Sequence, residues 1–312
     1  MPKPSANPHL SRRSLLAAGG AMLAFPNIVR AGTPGDTDIV IIGAGAAGLA
    51  AARVLKKRGI RFELIEIRDR IGGRAETNFD YFGVPVDFGC SELHNAKLNP
   101  WIGYARQNGV EIAPLPGGNS VFDGATELEG ARARALKMEF ERRQGLLKQA
   151  CAARRDISVA DVLAAAEPSQ WTDAFNLWLG PVSAGIDLED WSVLDWCASR
   201  AGQDWYAPGG FGALIAQFGS AIPVHLTTGA KEISWSGRSV KVDTDRGIIA
   251  AKAAIVTIPV SVLKSGSVKC TPALPNWKLK ALEGMATAHY TKVLLKFRRE
   301  IVDQPHGSWL AH

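Results

Sequence analysis

The chain has 312 residues, 46% hydrophobic and 21% charged, which is the balance of an ordinary globular protein long enough for two domains. Its formal net charge is +6, but Lys3, Arg12, Arg13 and Arg30 lie in the first 31 residues, which contain no acidic residue. Removing those residues takes the net charge from +6 to +2, since four positive charges are lost. The net charge of the remaining chain therefore does not indicate a nucleic-acid partner.

Residues 1–31 are predicted to be a targeting signal rather than part of the fold. Ser11-Arg12-Arg13-Ser14-Leu15-Leu16 resembles a twin-arginine export signal, and an apolar stretch and the small-x-small site Val29-Arg30-Ala31 follow it. The apolar stretch is too short to span a bilayer, so we expect no stable membrane anchor. We predict recognition by the twin-arginine export machinery and a periplasmic or secreted location. A disordered basic tail or an uncleaved anchor is the alternative.

The first element of the predicted fold is a strand, a tight turn and a helix. Four β-forming residues, Ile39 to Ile42, run into Gly43, Gly45 and Gly48, and an Ala/Leu-rich segment follows. The first glycine permits the turn, the second lets a pyrophosphate approach the backbone, and the third lets helix and strand pack closely. The phosphates would meet the helix N-terminus, at Ala46 and Ala47. A glycine-rich turn of an unrelated α/β fold is the alternative.

A second strand and a second glycine turn strengthen the prediction of dinucleotide binding. Phe62 to Glu66 ends in a carboxylate about 20 residues beyond the glycines, where a ribose hydroxyl needs an acceptor. A carboxylate disfavours a 2′-phosphate, so FAD or NAD fits better than NADP. Arg70-Ile71-Gly72-Gly73-Arg74 then offers two guanidinium groups that can pair with phosphate.

Gly43 to Arg74 resembles the N-terminal signature of the flavin-containing amine oxidases, the monoamine and polyamine oxidase family. The Arg-x-Gly-Gly-Arg element separates these FAD proteins from NAD dehydrogenases. The resemblance implies FAD and an α/β fold: a Rossmann-like FAD-binding domain of the GR2 type and a second, α+β substrate domain. The cofactor-binding residues that it implies here are Gly43, Gly45, Ala46, Ala47, Gly48, Glu66, Ile67, Arg68, Gly73 and Arg74.

The segment from Val84 to Asn95 resembles the family's Asp-Leu-Gly-Ala-x-x-x-His-Gly stretch. The resemblance implies that Gly89, Cys90 and Ser91 lie by the isoalloxazine and that His94 is at the wall of the substrate cavity. A hydrogen-bonded structural histidine is the alternative, since histidine suits either role.

The middle of the chain is predicted to be helical, and the family pattern returns after it. Asn99-Pro100-Trp101 opens a helix, and residues 128–180 indicate further helices, including a long charged one over Glu129 to Arg155. A helix over Ala213 to Ala221 and a strand over Ile222 to Leu226 are expected next.

A meander of three strands is predicted after these elements, over Lys231 to Trp235, Ser239 to Thr244 and Ile248 to Thr257. In the family this block returns to the FAD domain, and the resemblance implies that the backbone of Ala230 lies beside the adenine. The predicted domains are 36–115 and 205–284 for FAD binding and 116–204 and 285–312 for the substrate.

Tyr290 to Phe297 alternates like a strand and resembles the family's Asn-Lys-Val-x-Leu-x-Phe. The resemblance implies that Lys292 holds a water bridged to the flavin N5; an exposed strand lysine is the alternative. The family continues beyond the point that corresponds to His312, with a Gly-Glu-x-Thr block that covers the flavin. The expectation is therefore a C-terminally truncated fold: a fragment, a defective product, or a chain completed by a homodimer or a second chain.

The sequence has four widely spaced cysteines and no Cys-x-x-Cys motif; they are Cys90, Cys151, Cys197 and Cys270. Four cysteines allow three full pairings, among which the sequence does not choose. Independent buried thiols are the expectation, and no metal site is predicted.

The resemblance implies a specific reaction. A small-molecule amine would be oxidised to an imine by hydride transfer to flavin N5, with Lys292 and His94 as the catalytic residues. Oxygen, reduced to hydrogen peroxide, or another acceptor would reoxidise the flavin. An amino-acid oxidase or desaturase of the same superfamily is an alternative, because fold does not determine function. An inactive flavin-binding subunit is another.

Overall fold

The computed structural model describes residues 35–115, 119–123, 126–199, 202–288, 290–299, 301 and 309–311. The predicted export signal, residues 1–31, lies outside them. The chain divides into two compact units. The first contains the described residues up to Leu93, then Leu98–Ala113 and Trp205–Leu282; the second contains His94–Lys97, Pro114–Asp204 and the described residues from Glu283 onward.

The strands are numbered in chain order: β1 Thr37–Ile42, β2 Phe62–Ile65, β3 Thr77–Asn78, β4 Val86–Asp87, β5 Glu92–Leu93, β6 Ala113–Pro114, β7 Asn119–Asp123, β8 Thr126–Glu127, β9 Trp205–Tyr206, β10 Ala230–Ser236, β11 Ser239–Thr244, β12 Gly247–Val256, β13 Lys269–Thr271 and β14 Trp309–Ala311. The helices are α1 Ala46–Lys57, α2 Pro100–Gln107, α3 Gly130–Ala152, α4 Val159–Leu163, α5 Thr172–Leu177, α6 Val193–Ala198, α7 Phe211–Gly219, α8 Val260–Lys264 and α9 Asn276–Glu283; a π-helical turn covers Trp178–Val182. None of the described helices is both long and apolar enough to cross a membrane.

The first unit is built on a six-stranded sheet in the order β13-β10-β11-β12-β1-β2. Strand β1 pairs in parallel with both β12 and β2, and β10, β11 and β12 form the predicted antiparallel meander. Val40, Ile41 and Ile42 in β1 are buried because both faces of this parallel strand are covered. The fold class is therefore the predicted one, an α/β protein with a Rossmann-like unit.

Helices α1 and α7 share one hydrophobic core with the sheet. Leu49 and Ala52 of α1 are fully buried against Ile41 and Leu64, and Ile215 of α7 belongs to the same cluster. A Cβ on Gly219 would lie 2.7 Å from the Ile71 Cδ1 and 2.9 Å from the Leu49 methyl groups, so α7 approaches α1 closely at this glycine. This packing holds the beginning of α1 at the carboxyl end of β1.

Two predictions of local structure have different outcomes. Helix α2 begins as predicted, because Asn99 caps it: its side-chain oxygen accepts the Trp101 N–H at 3.0 Å, and Pro100 takes the first turn. The predicted strand over Ile222 to Leu226 is reduced to a single parallel bridge between His225 and Ile65. Pro223 lacks the N–H that a longer ladder would require.

The second unit is mainly helical. Helices α3, α4 and α6 and the turn after α5 enclose a core that includes Leu147, Val159, Phe175 and Val193. Ser158 caps α4, and its hydroxyl accepts the Asp161 N–H at 3.0 Å. Strand β7 pairs with β8 and with β14.

The expectation of four independent buried thiols is wrong. Cys151, at the end of α3, forms a disulfide with Cys197 in α6, and the Cα atoms are 5.7 Å apart. Cys90 is a free thiol but exposed, and Cys270 is free and half-buried, where burial raises its thiol pKa. The pairing depends on α3 and α6 packing side by side, which spacing along the chain does not reveal.

We predict that the disulfide stabilises the second unit. The double variant Cys151→Ser/Cys197→Ser should lose about 3 kcal/mol in its free energy of unfolding, because the bond closes a long loop and restricts the unfolded chain. Urea denaturation, followed by tryptophan fluorescence, measures the loss. A Cys90→Ser variant is the control and should unfold as the parent does. Equal stability of all three proteins would contradict the prediction.

The predicted strand over Tyr290 to Phe297 is also wrong. The described residues 290–297 form neither helix nor strand, and Val293 and Leu295 are more than two-thirds exposed. An alternating sequence becomes a strand only when neighbouring backbone groups pair with it. Among the described residues no strand supplies such a ladder to this segment.

Candidate functional site

The first glycine turn connects β1 to α1 and depends on three close backbone contacts. Gly43 has a φ of 102°, which a side chain rarely tolerates. A Cβ on Gly48 would lie 1.9 Å from the Gly43 carbonyl oxygen, so no larger residue fits where helix and strand cross. Below the turn, the Thr257 hydroxyl lies 2.9 Å from the Ile42 carbonyl oxygen and 3.0 Å from that of Gly43. The turn is thus rigid before any ligand arrives.

Sequence reasoning missed the contribution of Thr257. Its contact with Gly43 follows from the parallel pairing of β12 with β1, which no local pattern indicates. Only the parallel register brings the two segments together.

Glu66 lies where the ribose acceptor was predicted, immediately after β2. It is 7% exposed, one carboxylate oxygen accepts the Ala44 N–H at 2.8 Å, and the other accepts the Arg68 N–H at 3.0 Å. A carboxylate offers about four lone-pair positions, so these two bonds leave capacity for ribose hydroxyls. The side chain is therefore held at the N-terminal end of α1 in an orientation suited to a ribose.

The second glycine turn packs directly on the first. The Gly72 N–H donates to the Ala44 carbonyl oxygen at 2.9 Å, and a Cβ on Gly73 would approach the Gly45 Cα to 3.2 Å. Two stretches of bare backbone therefore adjoin each other at the N-terminus of α1, whose first N–H groups have no intrahelical acceptor. That is the setting that a pyrophosphate requires.

The arginines around this turn have different roles. Arg70 is engaged within the protein: it forms an ion pair with Glu76 and donates to the Gly73 carbonyl oxygen at 3.1 Å. In the structure these donors of Arg70 therefore hold the turn together. Arg68 donates to the same carbonyl at 3.2 Å, and its side chain is exposed, as is that of Arg74. Arg74 and Arg68 remain the candidates for phosphate.

The structure brings Gly89, Cys90 and Ser91 to the same turn. The Cys90 N–H donates to the Arg74 carbonyl oxygen at 3.1 Å, and a Cβ on Gly89 would lie 1.7 Å from that oxygen. Gly89 must therefore be a glycine, and its backbone continues the surface formed by Gly73 and Arg74.

The loop before β10 runs beside Glu66 to Arg68, as expected of the adenine end. The Thr228 N–H donates to the Glu66 carbonyl oxygen at 2.8 Å, and the Thr227 N–H donates to that of Arg68 at 2.9 Å. A Cβ on Gly229 would lie 3.2 Å from the Ile67 side chain. Ala230 therefore follows a backbone segment that borders Ile67, which is 71% exposed.

The two residues predicted to be catalytic, His94 and Lys292, lie in the second unit. The His94 imidazole is exposed, and its Nδ1 is 3.0 Å from an oxygen of Asp204. Lys292 is half-buried. The predicted cofactor-binding residues, by contrast, all belong to the first unit.

A cavity of about 520 Å³ in the first unit lies at the N-terminal ends of its parallel strands, whereas the glycine turns lie at their carboxyl ends. Thr37, Arg61 and Phe62, at the N-terminal ends of β1 and β2, are among its lining residues. Ligands of open parallel sheets bind at the carboxyl ends of the strands. This cavity is therefore not the nucleotide site.

A second contact that sequence reasoning missed anchors α7 to the two-stranded sheet of β3 and β4. One oxygen of Asp87 accepts the Phe211 N–H at 2.8 Å, and the other accepts the Gly212 N–H at 3.1 Å and the Thr77 hydroxyl at 2.5 Å. The Thr77 oxygen in turn accepts the Ala213 N–H at 2.9 Å. Asp87 caps a helix more than 120 residues away in the chain, so no local pattern indicates it.

We predict that Asp87→Ala lowers the free energy of unfolding by about 2 to 3 kcal/mol, since it removes a charged cap and the hydrogen-bond partner of the partly buried Thr77 hydroxyl. Thermal denaturation checks the effect. Asp80→Ala, at an exposed position in the same unit, should change stability by less than about 0.5 kcal/mol. A loss for Asp87→Ala no greater than for Asp80→Ala would contradict the prediction.

Known proteins resemble this chain both in sequence and in fold. Residues 46–311 match the model of a protein family described as flavin containing amine oxidoreductase. The chain is 28% identical to polyamine oxidase 2 of Arabidopsis thaliana over 301 residues, covering 84% of this chain and 59% of that protein. It is 24% identical to lysine-specific histone demethylase 2 of Homo sapiens over 285 residues, covering 84% and 35%.

Among solved structures, putrescine oxidase, wild type bound to putrescine, superposes with a TM-score of 0.66 at 20% identity, covering 80% of this chain and 63% of that one. This likeness shows the fold. The chain thus spans about three-fifths of the length of the polyamine oxidase that it matches (59%) and of the solved putrescine oxidase (63%).

Proposed function

The chain belongs to the flavin-containing amine oxidoreductase family, and on that premise we propose that it oxidises a primary amine or a polyamine with FAD as cofactor. The observation that carries the proposal is the double glycine turn at the N-terminus of α1, with the Glu66 carboxylate held beside it. Those residues fit an ADP-ribose: bare backbone and helix N–H groups for the pyrophosphate, and a carboxylate for the ribose.

Different residues of this chain would bind different parts of FAD. Gly45 and Gly73 leave room for the pyrophosphate, and Arg68 and Arg74 offer guanidinium groups to it. Glu66 would accept hydrogen bonds from the ribose hydroxyls, and the backbone leading to Ala230 would lie beside the adenine. Gly89 and Cys90 extend the same surface toward the flavin ring.

FAD, when bound, supplies the acceptor for the hydride that leaves the amine α-carbon, and dioxygen takes the two electrons onward and becomes hydrogen peroxide. His94 would accept the proton of the substrate ammonium, so that the amine reacts in its neutral form. Lys292 would hold the water molecule that the family resemblance implies at the flavin N5. Water finally hydrolyses the imine to a carbonyl compound and ammonia or an amine.

The test uses the full chain purified with added FAD. We expect yellow protein whose flavin absorbance bleaches when putrescine, spermidine or benzylamine is added without oxygen, and hydrogen peroxide when oxygen returns. Bleaching by amino acids but by none of these amines would instead support an amino-acid oxidase. Protein that binds FAD but reacts with neither group would support the inactive subunit, and protein without FAD uptake would overturn the proposal.

We also propose that the protein is exported in the folded state. The twin-arginine motif at Arg12 and Arg13 supports this. The Cys151–Cys197 disulfide, a bond typical of oxidising compartments, supports a destination outside the cytoplasm. Expression in a bacterium with a twin-arginine translocase should place the protein in the periplasm, and Arg12→Lys/Arg13→Lys should retain it in the cytoplasm. Export of that variant at the parent's level would count against the proposal.

A further inference from the structure

His94, to which the proposed function gives the role of proton acceptor, forms a dyad in the second unit with Asp204, which has no role in that proposal. His94 Nδ1 is 3.0 Å from one oxygen of Asp204, and the Asn95 N–H donates to the other oxygen at 2.9 Å. An ionised carboxylate only accepts hydrogen bonds, so Nδ1 must carry the hydrogen in this contact. Nε2 of the neutral imidazole is then the acceptor nitrogen.

The two segments that hold the dyad are connected by more than this pair. The Ala96 N–H donates to the Gln203 carbonyl oxygen at 2.9 Å. A Cβ on Gly202 would lie within 3.0 Å of the Asn95 backbone and side chain, so the segments touch. Asn95 itself has a φ of 50°, a conformation that asparagine tolerates and that non-glycine residues adopt mainly under tertiary constraint. The orientation of His94 is thus imposed by the backbone around it.

We propose that Asp204 is a positioning residue that holds His94 as the Nδ1–H tautomer, so that Nε2 can take the proton from a substrate ammonium group. The proposal rests on the function proposed above. In the step, an N–H bond of the ammonium breaks, an Nε2–H bond forms, and the amine keeps the electron pair. The positive charge that arises on the imidazole is then compensated by the Asp204 carboxylate. The imidazole side chain is 71% exposed, which gives a solute access to it.

Asp204→Asn tests the tautomer directly. The carboxylate serves two N–H donors, His94 Nδ1–H and the Asn95 N–H, whereas an amide has one acceptor oxygen and one donor nitrogen. If the amide oxygen accepts the Asn95 N–H, the amide NH₂ group faces Nδ1. Nδ1 must then accept a hydrogen bond, so the imidazole hydrogen moves to Nε2. The variant should therefore invert the tautomer without changing the shape of the side chain.

The first readout is the ¹⁵N spectrum of protein labelled at its histidines, with the His94 signals identified from their loss in His94→Gln. We expect the Nδ1–H tautomer in the parent and Nε2–H in Asp204→Asn. The readout does not depend on activity, so it judges the dyad even if no amine is oxidised. An Nε2–H tautomer in the parent, or an unchanged tautomer in the variant, would overturn the proposal.

The second readout is a double-mutant cycle in kcat/KM for an amine that bleaches the flavin. Asp204→Asn and His94→Gln should each lower kcat/KM about 100-fold, the scale of a lost proton acceptor. The double variant should be no worse than the single ones within about threefold, because both act through one imidazole. Multiplied losses would mean that Asp204 acts elsewhere and would overturn the proposal.

Asp195→Asn is the matched control, an aspartate of the same unit that accepts the Trp191 indole N–H at 2.9 Å. It should leave kcat/KM and the His94 tautomer as in the parent. If no amine bleaches the flavin of the parent, the proposed function fails while the tautomer measurement still decides the role of Asp204.

Discussion

Gly48→Ala is expected to weaken FAD binding at least about 100-fold, a loss of about 2.7 kcal/mol. The new Cβ would lie 1.9 Å from the Gly43 carbonyl oxygen and 3.0 Å from the Thr257 hydroxyl oxygen. Real Cβ contacts do not fall below 3.0 Å, so α1 must move by about an ångström away from β1, and the N–H groups that face the pyrophosphate move with it. The ratio of flavin to protein absorbance after purification, and a fluorescence titration with FAD, measure the loss.

Two further glycine variants separate binding from folding. At Gly45 the nearest atom to a new Cβ is 3.8 Å away and φ is −77°, so Gly45→Ala should fold normally yet obstruct the pyrophosphate. At Gly103, in α2, a Cβ meets nothing within 4 Å, and Gly103→Ala should bind FAD normally and gain up to about 1 kcal/mol of stability. Normal FAD affinity in both Gly48→Ala and Gly45→Ala would refute the nucleotide site.

Glu139→Gln should destabilise the second unit by about 3 to 5 kcal/mol. Glu139 and Arg143 lie one turn apart in α3, are 7% and 2% exposed, and are joined at 2.5 Å. Arg142 also donates to the carboxylate at 2.9 Å, and Arg143 donates to the Thr172 hydroxyl at 2.8 Å. Neutralising Glu139 leaves the buried Arg143 charge without its counter-ion, which costs more than the pair itself contributes.

The control is Glu141→Gln in the same helix. Glu141 forms an exposed i,i+4 pair with Lys137 at 3.8 Å, so its loss should cost less than about 0.5 kcal/mol. Urea denaturation of the purified proteins compares the two variants. Similar midpoints for both would show that the buried pair does not support this unit.

The same carboxylate makes stability depend on pH. Hydrogen bonds from Arg142 and, to a smaller extent, Arg143 lower the pKa of Glu139 from 4.5 to about 2, against the opposing effect of burial. Because the folded pKa lies below the unfolded one, the stabilisation is present above pH 4.5 and is lost as the pH falls toward 2. We expect about 3 kcal/mol to disappear in that window. Glu139→Gln should abolish this part of the pH dependence.

Sequence by itself determined the features of this protein that depend on local geometry. Gly43, Gly45 and Gly48 after a β-forming run specify a turn that only bare backbone can make, and Glu66 follows the next strand at the spacing a ribose requires. The caps Asn99 and Ser158 and the meander β10–β12 follow for the same reason. In each case residues close in the sequence, at most about 20 positions apart, supply the constraint.

Tertiary structure alone decided the contacts between segments distant in the chain. It placed Thr257 under the first turn, Asp87 at the start of α7, Cys151 against Cys197, and Asp204 beside His94. It also paired Arg70 with Glu76, and it left the described residues 290–297 outside any helix or strand. Such contacts depend on which surfaces pack together, and a pattern of spacing along one chain carries no information about that packing.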